Sequence, residues 1–218
     1  MTGDDTTGDE TASAGRPASS LPASYFDAIY TRDPDPWRFQ TSPYERAKYD
    51  ATLAALPRPR YARALEVGCS IGVLTRDLSE RCDRLLSVDA ANQALAAARA
   101  ACADRPNVAF ARIRAPDEWP DGSFDLILLS EMVYYLDPDD VARLAARVGG
   151  ALAPGGDCLL VHFTGATDYP LSGDEAAERF IAAATPFAAV TRQARPEGYR
   201  LDLLRTAGDG PGAAAPPR

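Results

Sequence analysis

The sequence predicts an α/β fold, a doubly wound open sheet that ends in a hairpin. Short apolar runs alternate with helical patterns from residue 61 to residue 185, which is the succession that βαβ units require. Residues 63–73 combine an apolar run, an acid and two glycines ahead of a helical pattern, so they predict strand, turn and helix. Right-handed crossovers then leave few possible strand orders.

Composition indicates one globular domain and excludes several classes of function. The chain has 218 residues, 46% hydrophobic and 25% charged, with a net charge of −8. An acidic chain repels phosphate backbones, so no nucleic-acid partner is expected. The four cysteines form no C-x-x-C pair and there is one histidine, so we predict no metal site and small buried cysteines in a reducing compartment.

The chain divides into four predicted segments. Residues 1–20 are mostly Thr, Ser, Gly, Ala and acid, and predict a disordered tail. Residues 21–60 predict an N-terminal helical lid segment, residues 61–205 the sheet domain, and residues 206–218 a flexible tail of Gly, Ala and Pro. No run is long and apolar enough to span a bilayer, and the N-terminus lacks the features of a signal peptide, so we expect a cytoplasmic protein without membrane contact.

The lid segment is rich in aromatic residues. A short helix is predicted at 24–30, and the prolines at 34 and 36 keep residues 33–37 extended. Ser42 as N-cap, Pro43 at the first position and Glu45 as the capping-box acid predict a second helix that ends near residue 56. Two interpretations stay open: the aromatics pack on the sheet as core, or they fold over a cationic ligand, which gives Trp37 and Tyr44 a binding role.

The turn after the first strand has the pattern E-x-G-x-x-x-G, formed by Glu66, Gly68 and Gly72. Glycines are needed where the backbone lies close to a ligand or adopts positive φ. A dinucleotide site requires G-x-G-x-x-G. Ser70 and Val73 stand where that pattern needs glycine, so an NAD oxidoreductase is disfavoured.

A second strand, residues 84–89, ends at Asp89, about 20 residues beyond the first glycine. A βαβ unit places a ribose-binding carboxylate at this distance. Asp89 is therefore expected to accept hydrogen bonds from ribose hydroxyls. The alternative is that it caps the helix that begins near Ala91.

The remaining strands bring further candidates to the same sheet edge. Strands are predicted at 107–113, 124–129 and 157–163, and the last two strand patterns, 187–195 and 199–205, form the hairpin. Helices are predicted at 138–152 and 172–185. The fourth strand is apolar throughout, as strands buried on both faces are. Ligands of open α/β sheets lie beyond the carboxyl ends of the strands.

Two residues are candidate catalytic groups. Glu131 follows the fourth strand, where a carboxylate could orient or deprotonate an ammonium; alternatively, Ser130 and Glu131 only begin a helix. His162, the one histidine, lies near the end of strand five and has a side chain suited to act as a base at neutral pH. A hydrogen-bonded structural histidine is an equal alternative.

Several stretches together resemble the nodulation protein S branch of the class I methyltransferases, which use S-adenosylmethionine (SAM). The resemblance covers about residues 25–165 and is carried by DPW-x-F (35–39), SPYE (42–45), LEVGCSIG (65–72), FDLI (124–127), SEMVYYL (130–136) and LAPGG (152–156). It implies a Rossmann-like seven-stranded sheet of order 3-2-1-4-5-7-6 with strand 7 antiparallel. It also implies N-methylation of an amino sugar in a chitin-like oligosaccharide.

The resemblance also indicates which residues hold SAM. The acid and glycine turn would face the methionine and ribose, and an Asp in the loop after strand three often binds the adenine amino group. Asp117 stands in that loop here, although Arg114 is nearer the strand end. The full expected cofactor set is Trp37, Tyr44, Glu66, Gly68, Cys69, Gly72, Asp89, Ala90, Asp117 and Ser130.

Three functions follow from these expectations. The first is a SAM-dependent N-methyltransferase that acts on an amino sugar, an oligosaccharide or a similar small polar molecule. The second is an O-methyltransferase of a small secondary metabolite. The third is a non-catalytic SAM-binding partner protein, which the loss of the usual central glycine at Ser70 allows.

Overall fold

The computed structural model describes residues 15–208. The helices are α1 (Ala23–Arg32), α2 (Pro43–Ala55), α3 (Val73–Leu78), α4 (Asn92–Ala101), α5 (Pro138–Ala151) and α6 (Gly173–Ala184), with two short 3-10 helices at Ser79–Arg81 and Val133–Tyr135. The strands are β1 (Ala64–Val67), β2 (Leu85–Asp89), β3 (Val108–Arg112), β4 (Phe124–Ser130), β5 (Leu152–Phe163), β6 (Ala188–Ala194) and β7 (Tyr199–Thr206).

The seven strands form one sheet in the order β3-β2-β1-β4-β5-β7-β6. Strands β1 to β5 pair in parallel, and β7 runs antiparallel to both of its neighbours. The predicted fold class, strand order and hairpin are confirmed. Parallel pairing brings the carboxyl ends of β1, β2 and β4 to the same edge of the sheet.

The centre of the sheet is buried on both faces. Within β4 every residue except Asp125 is buried, as the continuous apolar run predicts. One face packs against α5 and α6, where Leu144 and Phe180 are fully buried. The other packs against α2 and α3, where Tyr49 and Leu78 are buried. Fully burying a large apolar side chain contributes about 1.5–3 kcal/mol, so these two layers stabilise the site edge from both sides.

Strand β5 begins earlier than predicted. Leu152 already pairs with Phe124, and a register shift follows before Asp157 pairs with Leu126. The predicted Pro-Gly-Gly turn is therefore an irregular part of the strand. The backbone N–H of Gly155 bonds to the carbonyl of Ala207, which holds this part against the end of β7.

Helix caps agree with the sequence in part. Ser42 accepts a hydrogen bond from the backbone N–H of Glu45, as expected of an N-cap. The predicted capping box is wrong in its second half, because the Glu45 carboxylate turns to Lys48. At α6 the reciprocal box is complete between Ser172 and Glu175.

The predicted tail differs from the structure where the two overlap. Residues 15–20 lie against the domain: Arg16 pairs with Glu175 at 2.7 Å, and the Ser20 hydroxyl lies 2.5 Å from Asp140. The N–H of Leu21 donates to the carbonyl of Tyr135. The prediction for residues 1–14 lies outside the described residues, as does that for residues 209–218. Thr206, predicted as tail, ends β7.

The cysteines, the lengths of the helices and the potential metal ligands add little information about function. All four cysteines lie in the described part of the chain and are buried and free. Within residues 15–208 no helix has the length and apolarity needed to cross a membrane. No group of three or more potential metal ligands occurs in the same range.

We predict that Gly72→Ala destabilises the fold by about 1–2 kcal/mol, because Gly72 has φ of 82° and an L side chain is strained there. Its Cβ would also lie 3.0 Å from Ala98 of α4. Chemical denaturation measures the effect. Gly150→Ala is the control: it is in α5 with open space around the added methyl group, so it should stabilise by about 0.5–1 kcal/mol. Equal stability of the two variants would contradict this account.

Candidate active site

A cavity of about 740 Å³ opens at the carboxyl ends of the central strands. Gly68, Asp89 and Ser130 line it from the ends of β1, β2 and β4. The lid segment, the end of β5 and the residues after β4 and β5 supply its aromatic walls. These are formed by Tyr25, Phe26, Tyr30, Trp37, Phe39, Tyr44, Tyr134, Tyr135, Phe163 and Tyr169. A cleft with apolar walls and a few polar groups is typical of a small-molecule site.

The two glycines of the turn have different tasks. Gly68 has φ of 85°, and a Cβ there would lie 2.5 Å from the carbonyl oxygen of Ser130. The turn can therefore lie directly against the end of β4 and face the cavity. Gly72 instead packs on α4 and does not line the cavity. Cys69 is buried and likewise lies outside it.

Asp89 stabilises the backbone of two neighbouring segments and also lines the cavity. Its carboxylate accepts hydrogen bonds from the N–H groups of Ser70 and Ala91, both at 2.9 Å. The bond to Ala91 holds the residue that precedes α4, without capping the helix, and the bond to Ser70 holds the turn. Asp89 and Ala90 also line the cavity. A carboxylate has about four acceptor positions, so two bonds leave capacity for ligand hydroxyls.

The lid segment reaches the turn through α1. The hydroxyl groups of Tyr30 and Ser70 are 2.5 Å apart. Trp37 packs edge-on to Tyr30 and stacks on Phe39, with ring centroids 5.7 and 5.6 Å apart. Trp37 therefore lines the cavity from within an aromatic cluster. Tyr44 also lines it, and its hydroxyl donates to the carbonyl of Gly198.

Glu66 lies beneath the turn and away from the large cavity. It is fully buried, and one carboxylate oxygen accepts hydrogen bonds from the hydroxyls of Thr75 and Ser87, each at 2.7 Å. Burial raises its pKa to about 7, against the opposing effect of these bonds. The other oxygen has no protein partner. The sequence predicts direct contact between Glu66 and a ligand, but at this position its side chain does not line the large cavity.

A buried ionic triad lies at the floor of the cavity. Lys48 of α2 contacts the carboxylate of Glu45 at 3.0 Å and hydrogen-bonds to the carboxylate of Glu131. All three residues line the cavity. Burial by itself would lower the pKa of Lys48. The carboxylates of Glu131 and Glu45 together have the larger effect, so the pKa of Lys48 is raised above its ordinary value. Lys48 is thus an ammonium shared between two carboxylates.

Glu131 has an unusual backbone, and both oxygens of its carboxylate accept hydrogen bonds. Its φ is 54°, in the left-handed region that non-glycine residues rarely adopt. One carboxylate oxygen accepts from the Tyr134 hydroxyl at 2.7 Å and from the N–H of Phe163 at 2.8 Å. The other bonds to Lys48. The alternative, in which Ser130 and Glu131 begin a helix, is wrong, because Ser130 ends β4 and the next 3-10 helix begins at Val133.

His162 is not placed to act as a base. It is fully buried and does not line the cavity. Its Nε2 accepts from the N–H of Val133 at 3.2 Å. Burial lowers its pKa to about 4, which matches a neutral structural histidine. The side chain lies on the face covered by α5 and α6, so the structural alternative holds.

Asp117 is likewise placed away from the cavity. Its carboxylate pairs with Arg143 of α5 and with Arg114. The Arg143 hydrogen bond lowers its pKa. Arg114 itself lines the cavity. Asp117 therefore stabilises the loop after β3 from outside, and its expected contact with adenine is not supported by its position.

Sequence reasoning missed Lys48, Tyr169 and the docking of residues 16–21. Lys48 had one local indication, because it follows Glu45 by three positions on a helix, where side chains meet. Its partner Glu131 is 83 residues away, and no local pattern announces such a contact. Tyr169 lies in a loop, where it stacks on Tyr134 at 5.3 Å.

We predict that the structural role of His162 makes folding stability fall at low pH. Because the pKa is about 4 when folded and about 6.5 when unfolded, the unfolded state binds more protons between these values. The contribution of His162 to the free energy of unfolding is fully present above about pH 6.5. It falls by about 2–3 kcal/mol as the pH drops to about 4.5. Denaturation of the wild type and His162→Gln at pH 7 and pH 4.5 measures it. Identical pH dependence in both proteins would contradict the assignment.

Comparison with known proteins identifies relatives of the chain. The family model described as Nodulation protein S (NodS) matches residues 30–152. Nodulation protein S of Rhizobium tropici is 33% identical over 126 residues, which are 56% of this chain and 52% of that protein. The chain thus spans about half the length of the curated relatives it matches.

Solved structures share the fold. A candidate methyltransferase from Pseudomonas syringae is 38% identical, with a TM-score of 0.66 over 74% of this chain and 98% of that one. The N-methyltransferase NodS from Bradyrhizobium japonicum WM9, in complex with S-adenosylhomocysteine, is 24% identical, with a TM-score of 0.74 over 84% of this chain and 97% of that one. The resemblance stated from sequence motifs is confirmed.

Proposed function

Because the chain belongs to the nodulation protein S family, we propose that it is a SAM-dependent methyltransferase. Its proposed acceptor is the nitrogen of an amino sugar, an oligosaccharide that carries one, or a similar small polar molecule. The observation that carries the proposal is the cavity in which the glycine turn after β1, Asp89 and the end of β4 meet. The solved relative with bound S-adenosylhomocysteine is itself an N-methyltransferase, which supports the choice of cofactor and reaction.

The residues of the cavity fit an adenosyl cofactor. Gly68 lines the cavity without a side chain, so its backbone is open to a ligand, and its missing Cβ lets the turn lie against the Ser130 carbonyl. Asp89 retains acceptor positions that suit ribose hydroxyls, and Ala90 and Ser130 also line the cavity. Bound SAM supplies an electrophilic methyl group on a positively charged sulfur. Glu66, Cys69 and Gly72 contribute by shaping the turn from below.

The lid segment, residues 21–60, is proposed to exclude water and to shield the positive charge. Trp37, Phe39 and Tyr44 present aromatic surface to the cavity, and aromatic faces attract cations. A dry, preorganised site strengthens every electrostatic interaction within it. The protein's part in methyl transfer is then chiefly to position the acceptor nitrogen.

We predict that amine acceptors give product and phenols do not. The assay is release of S-adenosylhomocysteine from SAM over glucosamine, chitin-derived oligomers with free amines, and a set of phenols. Release with amines supports the proposal. Release with phenols alone would establish O-methylation instead. Cofactor binding without release over the whole panel would indicate the non-catalytic partner protein.

We predict that Asp89→Ala weakens SAM binding by about 1–3 kcal/mol, the scale of lost hydrogen bonds to a charged group. Calorimetric titration measures the affinity, and circular dichroism checks the fold, since Asp89 also bonds to Ser70. Asp121→Ala is the matched control, because this carboxylate is exposed and lies outside the cavity. Unchanged affinity in Asp89→Ala would remove the ribose role.

A further inference from the structure

We infer that the triad of Glu45, Lys48 and Glu131 is the subsite for the acceptor's reacting group, and that its net negative charge selects an amine. The inference rests on the proposed function and deepens it, because it assigns a place and a charge preference to the acceptor. The sequence motifs by themselves assign no such role to Glu45 or Lys48.

The first support is position. The side chains of Lys48, Glu45 and Glu131 are 3%, 10% and 14% exposed, yet each contributes to the cavity wall. They lie at the end of β4, beside the turn that is proposed to hold the cofactor. A ligand that fills the cavity therefore meets this triad without any rearrangement of the fold.

The second support is charge. Two carboxylates and one ammonium carry one excess negative charge when all are ionised. The Tyr134 hydroxyl and the N–H of Phe163 are neutral donors to Glu131, so they do not cancel it. Burying an uncompensated charge is costly. A cationic group in the cavity would offset that cost, whereas an anionic nucleophile would be repelled.

The third support is that the triad contains more charged groups than a structural link between α2 and the sheet requires. One carboxylate with Lys48 would suffice to fasten α2 to the sheet, but here two acids are held together in a buried place. Glu131 in addition adopts φ of 54°. Strained backbone of this kind costs roughly 1–3 kcal/mol and clusters at functional sites. The strain and the extra charge both converge on the cavity.

The chemistry of amine methylation uses such a charge. The bound ammonium first loses one proton to solvent, which frees the nitrogen lone pair. That lone pair forms the new C–N bond while the C–S bond breaks and its electron pair stays on sulfur. The positive charge thus passes to nitrogen, and one N–H proton then leaves to solvent. A fixed negative charge at the nitrogen stabilises the charge that develops there. Lys48 is a positioning residue, because it holds the two carboxylates together.

Calorimetry without cofactor tests the subsite directly. The probes are matched pairs of amine and alcohol: glucosamine with glucose, and ethanolamine with ethylene glycol. We expect the amine to bind at least about ten-fold more tightly than its alcohol in one or both pairs. Glu131→Gln and Glu45→Gln should each reduce that ratio by about ten-fold. Asp121→Asn, an exposed carboxylate that does not line the cavity, should retain it.

Two outcomes would overturn the inference: no pair shows a preference for the amine, or the preference survives in both glutamine variants.

Variants of Lys48 test its positioning role. Lys48→Arg should keep the ratio and the acceptor KM near wild type, whereas Lys48→Met should raise KM. If the Lys48→Met protein does not fold, the isosteric glutamine variants decide. SAM titration separates the two proposals. Absent SAM binding with an intact amine preference refutes only the methyltransferase proposal, and turnover without amine preference refutes only the subsite.

Discussion

The hydrogen bond from the Ser70 N–H to the Asp89 carboxylate is the constraint on which the site depends. It fastens the turn after β1 to the end of β2, and the Ser70 hydroxyl in turn lies 2.5 Å from that of Tyr30 in the lid segment. Ser70 has φ of 49°, a conformation that these contacts hold in place. Because Gly68 has no Cβ, the same turn also lies against β4. Three strand ends and the lid therefore meet around one cavity.

Buried polar groups keep this junction rigid from below. Glu66 is fully buried under the turn, where it links Thr75 of α3 to Ser87 of β2 through two hydrogen bonds of 2.7 Å. Lys48 similarly links α2 to the end of β4. Removing one partner of a buried ion pair is strongly destabilising. Buried polar side chains thus join the parts of the chain that shape the cavity. Removal of one of them is expected to destabilise the fold.

The fold was predictable because its determinants are local. Alternating apolar runs and helical patterns give the βαβ units, and the unbroken apolar run of β4 marks the sheet centre. Gly68 and Asp89 were predictable as site residues, since strand ends of a parallel sheet share an edge. His162 and Asp117 were not: β5 is buried on both faces, so sequence cannot tell which face His162 occupies, and Asp117 is drawn outward by Arg143, 26 residues away. Lys48 depends on a partner still more distant in sequence.

A crystal structure of the chain with S-adenosylhomocysteine tests the central claim most directly. The account predicts that the ligand's ribose lies at the Asp89 carboxylate and that its sulfur faces the end of β4, where Ser130 and Glu131 stand. A structure in which the ligand is bound at another surface, or in which a saturating concentration leaves this edge of the sheet without ligand, would contradict it.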